Sequence, residues 1–299
     1  MIIEKINMNI KLLDFKELAD FPSGSGIECY DDQVYLVGDD ARNILVMNKR
    51  WKTRETINLF PGDSPRIEKM IKADFEATTI VQINKVPFLL LLGSGSIEAT
   101  RNKAILLNLK SKEVEEIDLS VFYDRLRQSG FPELNIEGAC VMDDKMILCN
   151  RGNKSRPDQS IIVTSLDFWK KQNAADIMRV KIEWEQAPQE ITGYSGLTYS
   201  YKNDWLIFTA SSEHTFNSIN DGPIGDSYIG VIENASRKIG RKRIKLNEVF
   251  NLSDIDAKLK GYKMESVCMQ ADREKRLKLH LVADNDTGES FLFKMRLKE

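Results

Sequence analysis

Histidine is almost missing from this chain: His214 and His280 are the only 2 among 299 residues. That scarcity argues against a zinc centre, whose ligand sets lean on imidazole and thiolate. It argues equally against a serine triad, which needs a histidine as its base, and no Gly-x-Ser-x-Gly elbow is present. Cysteine is sparse. Cys29, Cys140, Cys149 and Cys268 form no C-x-x-C pair, so a thiolate metal knuckle is not expected. Their apolar strand contexts suit small buried hydrophobes in a reducing compartment. No apolar run is long enough to cross a membrane. The "GSGS" at Gly93 lacks the Gly-Lys-Ser/Thr ending of a phosphate loop. Charge of one sign is lacking too: 43 basic against 45 acidic residues give a net charge of −2. A nucleic-acid partner is therefore not expected. The one basic run, Arg237 to Lys245, alternates with apolar residues and reads as a solvated strand face. Glu4 and Lys5 come too early for a secretory apolar region, so the expectation is a cytoplasmic protein without a membrane partner.

What the chain does have is repetition. "NIEGACVMDDKMILCNRGN", from Asn135, reads as a hairpin with the Asp143-Asp144 turn between two apolar strands. Similar hairpins open at Ser25, Glu76, Glu137, Ser195 and Glu265, about every 60 residues. Each is followed by a second hairpin that alternates apolar and charged residues, as half-exposed sheets do. Four antiparallel strands per unit make a propeller blade. The last unit is one strand short, and the N-terminal run "NMNIKLLDFKEL" can supply the missing strand. The fold expected is all-β, a five-bladed β-propeller closed by its N-terminal strand, with six blades as the alternative. Residues 1–299 read as one domain. "VFYDRLRQSGFPEL" and "NEVFNLSDIDAKLKGY" read as helical or coiled connections.

The innermost strands of a propeller surround its channel, so the openers Ser25, Glu76, Glu137, Ser195 and Glu265 converge on one mouth. Three bare carboxylates in close company repel one another and take up protons. A hard cation resolves this, and a loose ring of oxygen ligands suits calcium. The other reading is that these glutamates bond backbone amides or lysines between blades. Loops after each second strand return to the same mouth. They carry Asp39, Asp40 and Arg42, then Glu98 and Arg101, then Arg151, Lys154 and Arg156. Further round come Glu213, His214, Asp221 and Asp226, and lastly Asp284 and Asp286. Acids and bases facing a cation in a concavity are the groups that hydrolysis would use. The loop "SSEHTFNSINDGPIGDS" is longer than a hairpin needs.

The ring order Ser, Glu, Glu, Ser, Glu, with "GDDARN" and "EKMIKADFEATT", resembles the calcium-activated soluble nucleotidases, or apyrases. The Ile-Glu-Gly opener is also similar to phytase-like esterase propellers. The apyrase resemblance implies a five-bladed propeller with calcium at the channel, held by Ser25, Glu76, Glu137, Ser195 and Glu265. It also implies a small-molecule ligand on the top face. Arg42, Arg151 and His214 are then the expected substrate-binding residues, and Asp39, Asp40 and Glu213 the expected catalytic ones. The family's arginine pair in the third-blade loop is reduced here, because Asn150 stands beside Arg151. Two function classes follow: a metal-dependent hydrolase of a phosphate- or ester-bearing molecule, or a non-catalytic binding propeller with a structural ion.

Overall fold

A computed structural model describes residues 8–153, 159–184, 192–213, 224–285 and 288–299. The chain enters through β1 (Asn9–Pro22) and then lays down five small sheets. Blade 1 is β2 (Gly24–Tyr30), β3 (Gln33–Gly38), β4 (Asn43–Asn48) and β5 (Thr53–Asn58). Blade 2 is β6 (Phe75–Ile83), β7 (Val86–Gly93), β8 (Lys103–Asn108) and β9 (Val114–Asp118). Blade 3 begins with β10 (Ile136–Met142), β11 (Lys145–Asn150), β12 (Ser160–Ser165) and β13 (Met178–Glu183). Then come β14 (Thr192–Ser200), β15 (Trp205–Glu213), β16 (Ile224–Glu233), β17 (Arg243–Lys245) and β18 (Glu248–Asn251). Blade 5 is β19 (Lys263–Arg273), β20 (Arg276–Asp284) and β21 (Glu289–Lys298). The helices are short: α1 (Glu98–Arg101), α2 (Ser120–Gln128) and α3 (Ala235–Lys238).

The hairpins form because apolar residues alternate and the turns carry residues that tolerate positive φ. Asp31 and Asp32 sit at φ 49° and 59°, and Asn84 and Lys85 at 51° and 64°. Two successive positive φ values give the turn whose twist matches that of antiparallel strands. The core lies between blades, not within one. Ile44 and Leu89 join blades 1 and 2; Leu90 and Met146 join blades 2 and 3. Ile147 and Leu206 join blades 3 and 4, and Ile207 and Leu279 join blades 4 and 5. Leu36, Trp51, Val282 and Leu292 close the ring between blades 5 and 1.

The five-bladed reading holds, and the six-bladed alternative is ruled out by the five sheets. The N-terminal closure also holds. β1 pairs antiparallel with β21 from Asn9↔Lys298 to Leu18↔Ser290 as the fourth strand of blade 5, which removes a free sheet edge. The basic run supplies an exposed strand face at Arg243 and Lys245, as expected, but its strand joins a different blade from the one it follows in sequence. β17 does not stay in blade 4 but pairs in parallel with β13, adding a fifth strand to blade 3. The outer strand of blade 4 is β18, in a segment whose sequence reads as a coiled connection. Ile244 is buried in the core between blades 3 and 4 while Arg243 and Lys245 are exposed, which explains the alternation. Among the described residues, no helix is long and apolar enough to cross a membrane.

Candidate functional site

All five opener residues share one backbone device. The pairing of the first two strands of every blade skips a residue near its start. The skipped residues are Ser25 between Gly24 and Gly26, and Glu76 between Phe75 and Ala77. They are Glu137 between Ile136 and Gly138, Ser195 between Tyr194 and Gly196, and Glu265 between Met264 and Ser266. Each is the extra residue of a β-bulge, which bends a strand and re-aims a side chain. The residue after each bulge is small, and two of these positions require glycine. A Cβ on Gly196 would lie 2.7 Å from the Ser266 Cα. One on Gly138 would lie 2.8 Å from the Cys149 Sγ and 2.9 Å from the Gly196 Cα. Innermost strands of adjacent blades thus approach backbone to backbone just below the ring.

The two serines turn away from the axis. The Ser25 hydroxyl donates to the Phe75 carbonyl at 2.5 Å, and that of Ser195 donates to the Met264 carbonyl. Those carbonyls belong to the residues just before Glu76 and Glu265, so each serine ties its blade to the next. The glutamates converge instead. Burial first, and then the negative charges of Asp74, Glu137, Asp39 and Glu265, hold the Glu76 carboxyl well above its ordinary range. Burial first, opposed by Lys263 and reinforced by Glu137, pushes Glu265 up to about 8.

Basic residues answer most of this charge. The Lys263 ammonium lies 3.2 Å from the Glu265 carboxylate. Glu137 accepts from Asn135 Nδ2 at 2.6 Å and pairs with Arg151 at 3.5 Å. Lys72 bridges Asp39 and Asp74, the latter at 2.8 Å, and its side chain is only 8% exposed. Burial opposes its charge, but Asp39, Asp74 and Glu76 together hold its pKa above the ordinary value. Asp74 also receives Arg101 at 2.6 Å and the Ser94 hydroxyl at 2.5 Å. Glu76 stands apart: among the described residues its carboxylate has no hydrogen bond or ion pair.

Among the described residues, one group of three acids, Asp39, Asp74 and Glu76, has ligand oxygens all within 4.8 Å of one another. Two oxygens on opposite sides of a calcium ion lie about 4.6–5.2 Å apart, so the donor set and spacing fit a hard cation. Glu137 and Glu265 bear on the same region by charge but do not join that tight group. Glu76 is the residue common to the close trio and the axial trio.

The outer loops sort differently from the sequence expectation. Arg42 donates through Nε to the Ser64 carbonyl at 2.8 Å and through Nη1 to the Pro61 carbonyl at 2.5 Å. It therefore braces the loop over residues 59–65, beside a cavity of about 540 Å³ lined by Asn58, Phe60 and Asp63 among others. Arg151 is buried against Gly193 and Glu137. Asp40 pairs with Arg66 at 3.3 Å, and Arg66 also donates to the Gly288 carbonyl at 2.5 Å, joining blade 1 to blade 5. Burial raises Asp39 to about 6 against the pull of Lys72, and burial raises Asp40 as well. Glu213 ends β15, and its side chain lies outside what the structure describes, as do His214, Lys154, Arg156, Asp221 and Asp286. The sequence reading passed over Lys72, Asp74 and Lys263. Lys72 and Asp74 precede β6, and Asp74 sits at a φ of 57°, so no strand alternation marks them in the sequence.

A family profile described as a family of unknown function, DUF6929, matches residues 20–297. A search of curated proteins found none that matches. Among solved structures, glutaminyl cyclase from Myxococcus xanthus is similar at 11% identity and a TM-score of 0.53, covering 97% of this chain and 96% of that one. The tail fibre of Staphylococcus aureus phage P68 is similar at 13% identity and a TM-score of 0.53, covering 97% of this chain and 53% of that one. Virginiamycin B lyase from Staphylococcus aureus aligns at 12% identity with a TM-score of 0.41, covering 98% of this chain and 100% of that one. At such identities the likeness concerns the fold alone. None of the three is a nucleotidase.

Proposed function

Because this chain belongs to the DUF6929 family, whose function is unknown, we propose its role from the site itself. The protein is a propeller that binds a hard cation, calcium by its donor chemistry, at the channel mouth and offers it to a small ligand on that face. The observation that carries this reading is Glu76. A bulge turns it to the axis, four other carboxylates bear on it, and its own carboxylate makes no hydrogen bond or ion pair among the described residues. Glu76 would be the central ligand, with Asp39 and Asp74 on one side and Glu137 and Glu265 on the other. The Ser25 and Ser195 hydroxyls, having donated their protons to carbonyls, keep lone pairs and hold the blades that carry the acids. A bound ion would supply positive charge and Lewis acidity to an anionic ligand. Lys72 already lies on Asp39 and Asp74, so it competes with the ion for them.

A second reading is favoured by Asp39. A carboxyl near pKa 6, beside Lys72 and Asp40, suits proton transfer at neutral pH. On that reading the protein hydrolyses a phosphate- or ester-bearing molecule, as the apyrase resemblance implies, with Asp39 accepting a proton from water. Arg42 and Arg151 weaken it. Both are engaged by protein groups, and a phosphate clamp needs guanidinium forks turned to the ligand. The binding reading therefore leads.

Calorimetry on chelator-treated protein tests it. Calcium stabilises only what it binds, so it should raise the melting temperature, and Glu76→Gln should remove most of that gain. Lys72→Met should melt low without calcium and recover with it. An unchanged melting temperature for wild type at millimolar calcium overturns the cation reading. Calcium-dependent phosphate release from a panel of nucleotides and phosphoesters, lost in Asp39→Asn, would move the hydrolase reading to the front.

A further inference from the structure

The ring must close where its last blade meets its first, and two thiols face each other there. Cys29 on β2 and Cys268 on β19 bring their Sγ atoms to 3.2 Å across the blade 1–blade 5 boundary. Cys268 is buried and Cys29 is partly exposed. Cys140 and Cys149 are both buried and make no thiol–thiol contact among the described residues. The pair is set by rigid surroundings. Cys268 stands opposite His280 in the sheet, and the His280 Nδ1 accepts from Trp51 Nε1 of blade 1 at 2.7 Å. Ile27, Val34, Trp51, Val282 and Leu292 belong to the same apolar cluster as both cysteines.

We propose that Cys29 and Cys268 form a redox-active dithiol that closes to a disulfide across this seam when a peroxide-class oxidant is present. The geometry assigns the order of events. Cys29, the accessible sulfur, attacks one peroxide oxygen; the S–O bond forms, the O–O bond breaks, and the departing hydroxide is protonated to water. Cys268 then attacks the sulfenic sulfur of Cys29. The S–S bond forms, the S–O bond breaks, and the hydroxide leaves as water with the Cys268 proton. Two thiols are oxidised by two electrons and the peroxide is reduced to two waters. Neighbouring strands hold the sulfurs in contact beforehand, so the second step starts with its two sulfurs side by side. The link would join residues 239 positions apart, and closing so long a loop constrains the unfolded chain strongly.

The test is oxidation of the reduced, full-length protein with hydrogen peroxide, followed by alkylation, peptide mapping and calorimetry. The expected result is a linked peptide pair containing Cys29 and Cys268, with Cys140 and Cys149 still alkylated after denaturation. The melting temperature should rise on oxidation and return with dithiothreitol. Cys29→Ser, at a partly exposed position, should abolish both the linked peptide and the rise; Cys268→Ala should do the same. The proposal is overturned if all four cysteines remain alkylatable, if Cys29 proceeds to sulfinic acid without a linked peptide, or if Cys29→Ser still shows the reversible rise.

Discussion

The serine corners and the glutamate corners of the channel mouth are built by one backbone device and used in opposite ways. Each carries a bulge at the opening of its innermost strand. At Ser25 and Ser195 the side chain is short, so the hydroxyl reaches only as far as the neighbouring blade's carbonyl. At Glu76, Glu137 and Glu265 two more carbons carry a charge to the axis, where Glu137 and Glu265 raise the proton affinity of Glu76, and Glu137 raises that of Glu265. The bulge belongs to the fold and the side chain on it belongs to the site. Substitutions should therefore sort by corner: at serines they loosen the ring, and at glutamates they relieve charge.

The largest effect should come from removing what both kinds of corner depend on. β1 forms the outer strand of blade 5, and Ser290 beside it donates to the Phe21 carbonyl while accepting from the Gly24 amide, each at 2.8 Å. Deleting residues 8–20 exposes the β21 edge and unseats Ser25. The expected outcome is loss of the cooperative thermal transition by circular dichroism. A truncated protein with the wild-type melting temperature would show that the ring does not rely on this seam.

Next in size is the backbone approach beneath the ring. Gly196→Ala places a methyl carbon 2.7 Å from the Ser266 Cα, and overpacking against backbone costs about 1–3 kcal/mol. Denaturant midpoints should fall accordingly. The corner comparison is then tested at a smaller scale by a matched pair. Ser195→Ala removes the shorter of two hydroxyl donors to the Met264 carbonyl, leaving the Ser211 hydroxyl at 3.1 Å, and should cost about 1 kcal/mol. Glu76→Gln, measured without divalent ions, should stabilise, because it removes charge from a buried acid with no hydrogen bond or ion pair among the described residues. Equal signs for the two variants would break the distinction between the corners.

Much of this was legible in the sequence, for reasons particular residues make plain. Blade count and closure follow from hairpin repetition and from a final unit lacking one strand, and both are local patterns. The positions of Glu76, Glu137 and Glu265 were legible because each opens an apolar strand. The bulges were not, since a bulge is a property of register between two strands and leaves no fixed mark on one. The exit of Arg243–Lys245 to blade 3 depends on Ile244 finding a space between blades, which no window of sequence reports. Arg42 shows the same limit. Its partners stand 19 and 22 residues away, on a loop whose path the sequence leaves open.

The comparison that separates the glutamates from their surroundings most finely lies in pH. Glu265 moves from an ordinary 4.5 to about 8, through burial first and then the charge of Glu137, against Lys263. An acid whose folded pKa is raised holds its proton in the native state after the unfolded chain has lost it. Without a divalent ion, the stability contributed by Glu265 should therefore fall as pH climbs from about 4.5 to about 8. Asp39 acts in the same direction over a lower range, from 3.8 to about 6, and Glu76 is raised as well. Calcium reverses the preference, because it binds the carboxylate and expels the proton. The gain in melting temperature on adding calcium should accordingly grow with pH up to about 8. In Glu265→Gln the calcium-free decline between about 6 and about 8 should be reduced, while the decline below about 6 persists through Asp39. Calorimetry across this range, with calcium and with chelator, checks each part. A calcium effect independent of pH would mean that the ion does not meet the raised carboxyls at the axis.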